Sequence, residues 1–326
     1  MKILFCDEGY PQARRRLAQQ IPTLEIVACP RNAVRDYLDG VDVVVPYMAA
    51  LDSSTIAAGT FGLIQQFGVG LETVDVGAAT AAGVWVARVP SAGTGNAESV
   101  AEHAILLMLA LARHFPQALA ALRDQRLGEP IGIALAGKTA CIVGLGSAGG
   151  ALAVRLSAFG MRLTAVRKNL SGVVPAGVRL AQTYGLAQLS DAVSKADFAI
   201  ITARFEPAAR HLFNREVFSA MKPGAFVVNV ARGGFIDHDA LAGALRSGRI
   251  AGAGLDVLEG EPLPPDHPLF SLNVIATPHI AGVTDASYDG IAREFAASLR
   301  RYAAGEPPLH AVNAPARLRG RLVRTL

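Results

Sequence analysis

The stretch from Lys138 to Phe159 constrains this chain more than any other. A short apolar run, Ala140-Cys141-Ile142-Val143, leads into Gly144-Leu145-Gly146-Ser147-Ala148-Gly149, and Ala151, Leu152, Val154, Leu156 and Ala158 continue as a helix. The order is strand, G-x-G-x-x-G turn, helix. Gly144 permits the tight turn, Gly146 removes the Cβ that would keep a phosphate off the backbone, and Gly149 lets the helix sit close on the strand. The helix start adds unpaired N–H groups and the positive end of a dipole. Residues 144–149 are therefore the candidate site for the pyrophosphate of a dinucleotide.

The rest of the chain repeats the same rhythm. Short apolar runs at 2–6, 25–28, 41–45, 62–67 and 84–87 alternate with helical stretches and predict a small α/β unit with a parallel sheet. A linker, Pro90-Ser91-Ala92-Gly93-Thr94-Gly95, precedes a long, largely buried helix predicted over 96–113, with Asn96 as its cap. Residues 115–136, which contain Pro116 and Pro130, read as a less regular arm able to reach a second subunit. From Lys138 strands are predicted at 140–143, 162–166, 179–181, 198–202, 225–229, 252–256 and 274–276, which makes a doubly wound dinucleotide domain. An amphipathic helix over 284–304 then crosses back to the first unit. The expected architecture is α/β with two doubly wound domains: a Rossmann domain, 95–283, inserted into a smaller flavodoxin-like domain made of 1–94 and 284–326.

A chain of 326 residues is long enough to bury two cores, and 51% hydrophobic with 18% charged residues is a globular balance without a disorder signature. The net charge is a modest +4, and Arg317, Arg319, Arg321 and Arg324 crowd the end. A solvated terminus is preferred there over a nucleic-acid or membrane contact. Cys6, Cys29 and Cys141 have no ligand spacing and read as reduced, buried thiols; with no signal-peptide pattern and no apolar run that spans a bilayer, a soluble cytoplasmic protein without a metal is expected.

Three predicted strand ends carry chemistry. The first is Asn229-Val230-Ala231-Arg232-Gly233, where a guanidinium can grip a carboxylate in a fork and polarise an adjacent carbonyl. The second is Leu255-Asp256-Val257-Leu258-Glu259-Gly260-Glu261-Pro262, and the third Thr277-Pro278-His279-Ile280-Ala281-Gly282. Hydride transfer to a ketone needs a proton donor and a positive group beside the developing alkoxide; a histidine, an arginine and a carboxylate that orients the imidazole meet that need. Earlier in the chain, Phe67-Gly68-Val69-Gly70 exposes amides at a strand end, suited to a carboxylate or simply to a turn.

In these motifs, in register from about Gly62 to Gly282, the chain resembles the D-isomer-specific 2-hydroxyacid dehydrogenases, the family of D-lactate, D-glycerate and phosphoglycerate dehydrogenases and glyoxylate/hydroxypyruvate reductases. The resemblance implies His279 as acid/base, Glu261 as its carboxylate partner, Arg232 as substrate clamp and Asp256 as a contact to the nicotinamide carboxamide. It assigns the amides of Val69 and Gly70 to the substrate carboxylate, makes the 1–94 and 284–326 unit the substrate domain, adds Thr202 and Ala231 to the cofactor contacts, and implies a homodimer through helix 96–113 and the arm after it.

Departures from the family pattern refine this. Val166 is followed by Arg167-Lys168 where an NAD enzyme presents an acid to the ribose, so NADP is favoured with NAD as the alternative. Arg204 and Glu206 stand where an apolar-proline run is usual and have no role assigned. The loop Pro46-Tyr47-Met48-Ala49 lacks an arginine for a phosphorylated substrate. Tyr47 there suggests a small or apolar substrate side chain, which favours glyoxylate, hydroxypyruvate or a bulkier 2-keto acid over phosphoglycerate. Two other readings stay open: a nucleotide-sensing protein like the corepressors of this fold, and a formate- or phosphite-type dehydrogenase.

Overall fold

The computed structural model describes residues 1–319. The chain divides into two compact units, one of Met1–Asn96 with the segment from Thr284 onward, the other of Ala97–Val283.

The first unit holds β1 (Lys2–Phe5), β2 (Glu25–Ala28), β3 (Val43–Val45), β4 (Leu63–Gln65) and β5 (Trp85–Ala87), all parallel, in the order β2-β1-β3-β4-β5. A parallel sheet covered on both faces needs strands that are mostly apolar, and these are, with Lys2, Glu25 and the buried Gln65 as the exceptions. Side chains alternate between two cores: Ile3 and Phe5 pack with Phe67 and Phe295, whereas Leu4 and Cys6 pack with Val44, Ile64 and Val86. Helix Asp285–Ala303 supplies one of those cores from the far end of the chain. Thr284 caps it by accepting the Ser287 N–H, and it buries Tyr288, Ile291, Ala292, Phe295, Ala296 and Leu299, one helical stripe. That stripe is why the unit is discontinuous in sequence.

The second unit holds β6 (Thr139–Val143), β7 (Arg162–Val166), β8 (Leu180–Tyr184), β9 (Phe198–Ile201), β10 (Ala225–Asn229), β11 (Ile250–Leu255) and β12 (Val274–Ala276). Its seven parallel strands run β12-β11-β10-β9-β6-β7-β8. Strand order reverses at β6, between β9 and β7, and in such a sheet ligands bind outside the carboxyl ends of the strands at that reversal. Helix Asn96–Ala112 packs on β11 closely enough that a Cβ at Gly254 would lie 2.9 Å from Leu107 Cβ, so the small residues of that strand are what admit the helix.

Two expectations need correcting. The arm is not irregular throughout: Phe115–Arg123 is a helix, and Pro116 sits in its first turn, where a missing N–H costs no hydrogen bond. The arginine-rich end is not simply solvated. Arg319 donates from Nη1 to Ile56 O (2.6 Å), from Nη2 to Ala57 O (3.1 Å) and from its backbone to Gly83 O (2.7 Å). Arg321 and Arg324 lie outside the described residues. Among the described residues no single helix is long and apolar enough to cross a membrane.

Candidate active site

At the end of β6, Gly144 has φ +100° and donates its N–H to Val166 O at 2.8 Å, which ties the turn to β7. A Cβ there would lie 2.4 Å from Ala203 Cα, so both the backbone angle and the space demand glycine. At Gly149 a Cβ would come within 2.0 Å of Gly144 O, because the helix Ser147–Ala158 is pressed onto the strand end. Gly146 is different: it stands at the N-cap without a side-chain cap, and a Cβ there would meet no protein atom within 4 Å. The open side of the turn thus presents the exposed Gly146 and Ser147 together with the first-turn N–H groups. These residues fit a pyrophosphate approaching the backbone. Thr202 supports the turn from below, donating its hydroxyl to Gly144 O at 2.7 Å.

Arg232, Glu261 and His279 follow the carboxyl ends of the adjacent strands β10, β11 and β12. Buried Asn229 shapes the first of these ends: its Oδ1 accepts the Ala231 N–H at 3.0 Å and its Nδ2 donates to Arg232 O at 2.8 Å. Gly233 then lies so close to the next loop that a Cβ would fall 2.0 Å from Leu258 C. The Arg232 turn is therefore stacked directly on the segment that leads to Glu261. Arg232 itself is half-buried and donates from Nη1 to Ala231 O at 2.7 Å.

His279 Nδ1 lies 2.8 Å from Glu261 Oε1, with side chains 29% and 21% exposed, so the pair is shielded but reachable. The backbone of His279 is left-handed, φ +56°, a conformation that costs a non-glycine residue on the order of 1–3 kcal/mol. Asp256 enforces it. Its carboxylate accepts the Thr277 hydroxyl (2.7 Å) and the N–H groups of Ile280 (2.8 Å) and Ala281 (2.9 Å), and its carbonyl accepts the His279 N–H (2.8 Å). With Nδ1 engaged by Glu261, the nitrogen left to exchange a proton is Nε2.

At 1% exposure, with both oxygens accepting from its own fold, Asp256 organises the histidine loop, a role beyond the carboxamide contact expected of it. The Tyr47 ring stacks on Tyr10 with centroids 4.4 Å apart and its hydroxyl is buried. Burial pushes the Tyr47 phenol well above its ordinary range. Val69 and Gly70 are half-buried in the first unit. Among the described residues neither amide donates to a protein acceptor.

The two cations after β7 behave unequally. Arg167 is half-buried and donates from Nη1 to Gly172 O at 3.0 Å, inside its own loop, whereas Lys168 is exposed and paired with Glu206.

Three further residues were not singled out from the sequence. His103 Nε2 lies 2.8 Å from Thr277 Oγ1 and 3.4 Å from Asp256 Oδ1. Buried Gln66 accepts the N–H groups of Tyr47 and Phe67, both at 3.1 Å, and donates to the carbonyls of Tyr47 (3.0 Å) and Gly70 (2.6 Å). Glu259, two residues before Glu261, takes Arg210 Nε at 2.8 Å and His211 Nε2 at 2.7 Å. The available signal was a polar side chain inside an otherwise apolar element, which marks Gln66 and His103 but not what they would touch.

Residues 105–281 match the model of the D-isomer specific 2-hydroxyacid dehydrogenase, NAD binding domain. The chain is 36% identical over 317 residues to D-3-phosphoglycerate dehydrogenase of Mycobacterium tuberculosis, covering 95% of this chain and 58% of that protein. It spans about half the length of the curated relatives it matches. Among solved structures, the TT0316 protein of Thermus thermophilus aligns with TM-score 0.83 at 30% identity, covering 96% of this chain and 100% of that one. The NADPH-dependent glyoxylate/hydroxypyruvate reductase of Sinorhizobium meliloti, solved with NADP and malonate, aligns with TM-score 0.82 at 30% identity over 99% of both chains.

Proposed function

Because the chain belongs to the D-isomer-specific 2-hydroxyacid dehydrogenase family, we propose that it reduces a small 2-keto acid, glyoxylate, hydroxypyruvate or similar, to the D-2-hydroxy acid. The observation that carries this reading is the 2.8 Å contact between His279 Nδ1 and Glu261 Oε1, held in a strained loop by Asp256. Beside Arg232 and a bound keto acid, such a pair can deliver a proton from Nε2. The glycine turn 144–149 would hold the nicotinamide dinucleotide, which when bound would supply the hydride. Arg232 binds the keto acid through its guanidinium and stabilises negative charge on the carbonyl oxygen. His279 protonates that oxygen, and Glu261 orients the ring and stabilises its charged form while the proton is held. A positioned acid of this kind contributes on the order of 10²–10⁴-fold.

NADP is our reading of the cofactor, with NAD as the alternative, on the strength of two cations and no acid after β7. The sensor reading is disfavoured by a complete and pre-assembled Glu261–His279 pair, which binding alone does not require. For a formate- or phosphite-type reaction no added polar substrate contact supports the case. A homodimer is supported by the exposed apolar side chains of Leu119, Leu122 and Ile131 beyond the helix Asn96–Ala112, and light scattering of the purified protein tests it.

The activity test is oxidation of NADPH and of NADH against a panel of 2-keto acids that includes a phosphorylated one. Turnover with glyoxylate or hydroxypyruvate, lost in His279→Ala while dinucleotide binding persists, is the expected result. Binding without turnover across the panel would pass the case to the sensor.

A further inference from the structure

Lys168 and Glu206 come from opposite sides of the glycine turn. Lys168 lies two residues beyond β7 and Glu206 five beyond β9, and these are the two strands that flank β6 in the sheet. Their ion pair therefore passes over the carboxyl end of β6, across the mouth of the turn that fits the pyrophosphate. Strands two apart stand roughly 10 Å from each other, a span that two long side chains can just bridge.

The neighbouring cation is built differently. Arg167 is fixed by the carbonyl of Gly172, and a Cβ at Gly172 would lie 1.8 Å from Arg167 Nη2, so its guanidinium is fitted into the loop. Lys168 and Glu206 are 70% and 50% exposed, so their pair is weak, screened by salt and easily opened. The hydrogen bond and charge of Lys168, with a further contribution from Arg204, hold the Glu206 carboxyl below its ordinary range.

We propose that Glu206 is a specificity-determining residue: it holds Lys168 in the absence of ligand and competes for it with the 2′-phosphate of the dinucleotide. This rests on the NADP reading given above. A 2′-phosphate carries more charge than a carboxylate and offers three acceptor oxygens, so it displaces Glu206 from Lys168, and the released carboxylate has Arg204 within electrostatic reach. A ribose without that phosphate leaves the pair closed. Glu206 thus lowers affinity for the phosphorylated dinucleotide while leaving affinity for the other nearly unaffected.

Equilibrium titrations of the full chain without keto acid, followed by nicotinamide fluorescence, test this with NADPH and NADH on wild type, Glu206→Gln, Lys168→Ala and the double variant. Glu206→Gln is expected to tighten NADPH by about two- to fivefold and to leave NADH affinity unchanged within error, with the gain lost when Lys168 is absent. The affinity of adenosine 2′,5′-bisphosphate, which lacks the nicotinamide and is read by its displacement of bound NADPH, is expected to follow that of NADPH across the variants. Equal tightening of both dinucleotides, weaker NADPH binding, or a gain that survives Lys168→Ala overturns the proposal. A wild type that prefers NADPH while Glu206→Gln changes nothing removes the role of Glu206 alone. If neither protein favours NADPH over NADH, the NADP reading fails and takes this inference with it.

Discussion

Asp256 holds His279 in place without touching its ring: the buried carboxylate accepts the N–H groups of Ile280 and Ala281, and its own carbonyl accepts the N–H of His279. The acid/base residue is therefore positioned by a side chain at the end of the neighbouring strand, and its left-handed backbone is the consequence. Asp256→Asn keeps the volume but turns one acceptor into a donor that faces an N–H or a hydroxyl. We expect it to cost about 1–3 kcal/mol of stability, the range for a buried polar group left without a partner. We also expect a loss of up to about 100-fold in kcat from a displaced imidazole. Thermal unfolding together with keto acid turnover checks both.

Gly146 and Gly149 separate binding from folding within one turn. Alanine at 149 drives its Cβ into the Gly144 carbonyl, whereas alanine at 146 projects into open space. Gly149→Ala should therefore lower the melting temperature, and Gly146→Ala should leave it unchanged while weakening the dinucleotide at least several-fold, as a methyl group bars the backbone from the phosphates. Differential scanning fluorimetry with and without dinucleotide distinguishes the two. A Gly146→Ala protein with unchanged affinity would remove the turn from the binding site.

Much of this was legible in the sequence because period and punctuation report local structure. The apolar runs at 25–28, 162–166, 225–229 and 274–276 became strands over those same residues. The pairing of His279 with Glu261 was carried by family resemblance, since a spacing of 18 residues says nothing by itself about contact. What was missed depends on long-range neighbours. The burial of Asp256 under three donors and the stacking of Tyr10 on Tyr47 could not be read from the sequence, because each depends on residues distant along the chain. Pro116 suggested a break, though the first turn of a helix accepts proline without loss.

Glu259 makes the loop before Glu261 sensitive to acid. Burial favours the neutral carboxyl, but the hydrogen bonds and charges of His211 and Arg210 prevail and hold the group below its ordinary 4.5. A carboxyl lowered in the folded state stabilises the fold fully above its unfolded value and loses that contribution as pH falls through the folded one. Wild type should therefore be more stable than Glu259→Gln above the ordinary carboxyl range, and the difference in melting temperature should shrink as pH falls through and below that range. A gap that stays constant from pH 7 to pH 3 would show that the pair's electrostatics contribute nothing.

Gln66 joins two loops of the first unit with one side chain, since its amide meets the backbone of Tyr47 twice and that of Phe67 and Gly70 once each. Substitution by methionine preserves length and burial but strips all four bonds, leaving buried N–H and C=O groups that water reaches poorly. We expect a loss of about 2–4 kcal/mol, less than the sum of four unsatisfied groups because the loops relax toward solvent. If the amides of Val69 and Gly70 bind the keto acid carboxylate, KM for the acid should rise several-fold while dinucleotide affinity stays within about twofold, because the glycine turn lies in the other unit. Gln66→Glu sharpens the test. It keeps the two acceptor contacts but sets a carboxylate oxygen against the carbonyls of Tyr47 and Gly70, so it should be at least as destabilising as methionine. A Gln66→Glu protein as stable as wild type would mean that the amide nitrogen contributes nothing to holding these loops.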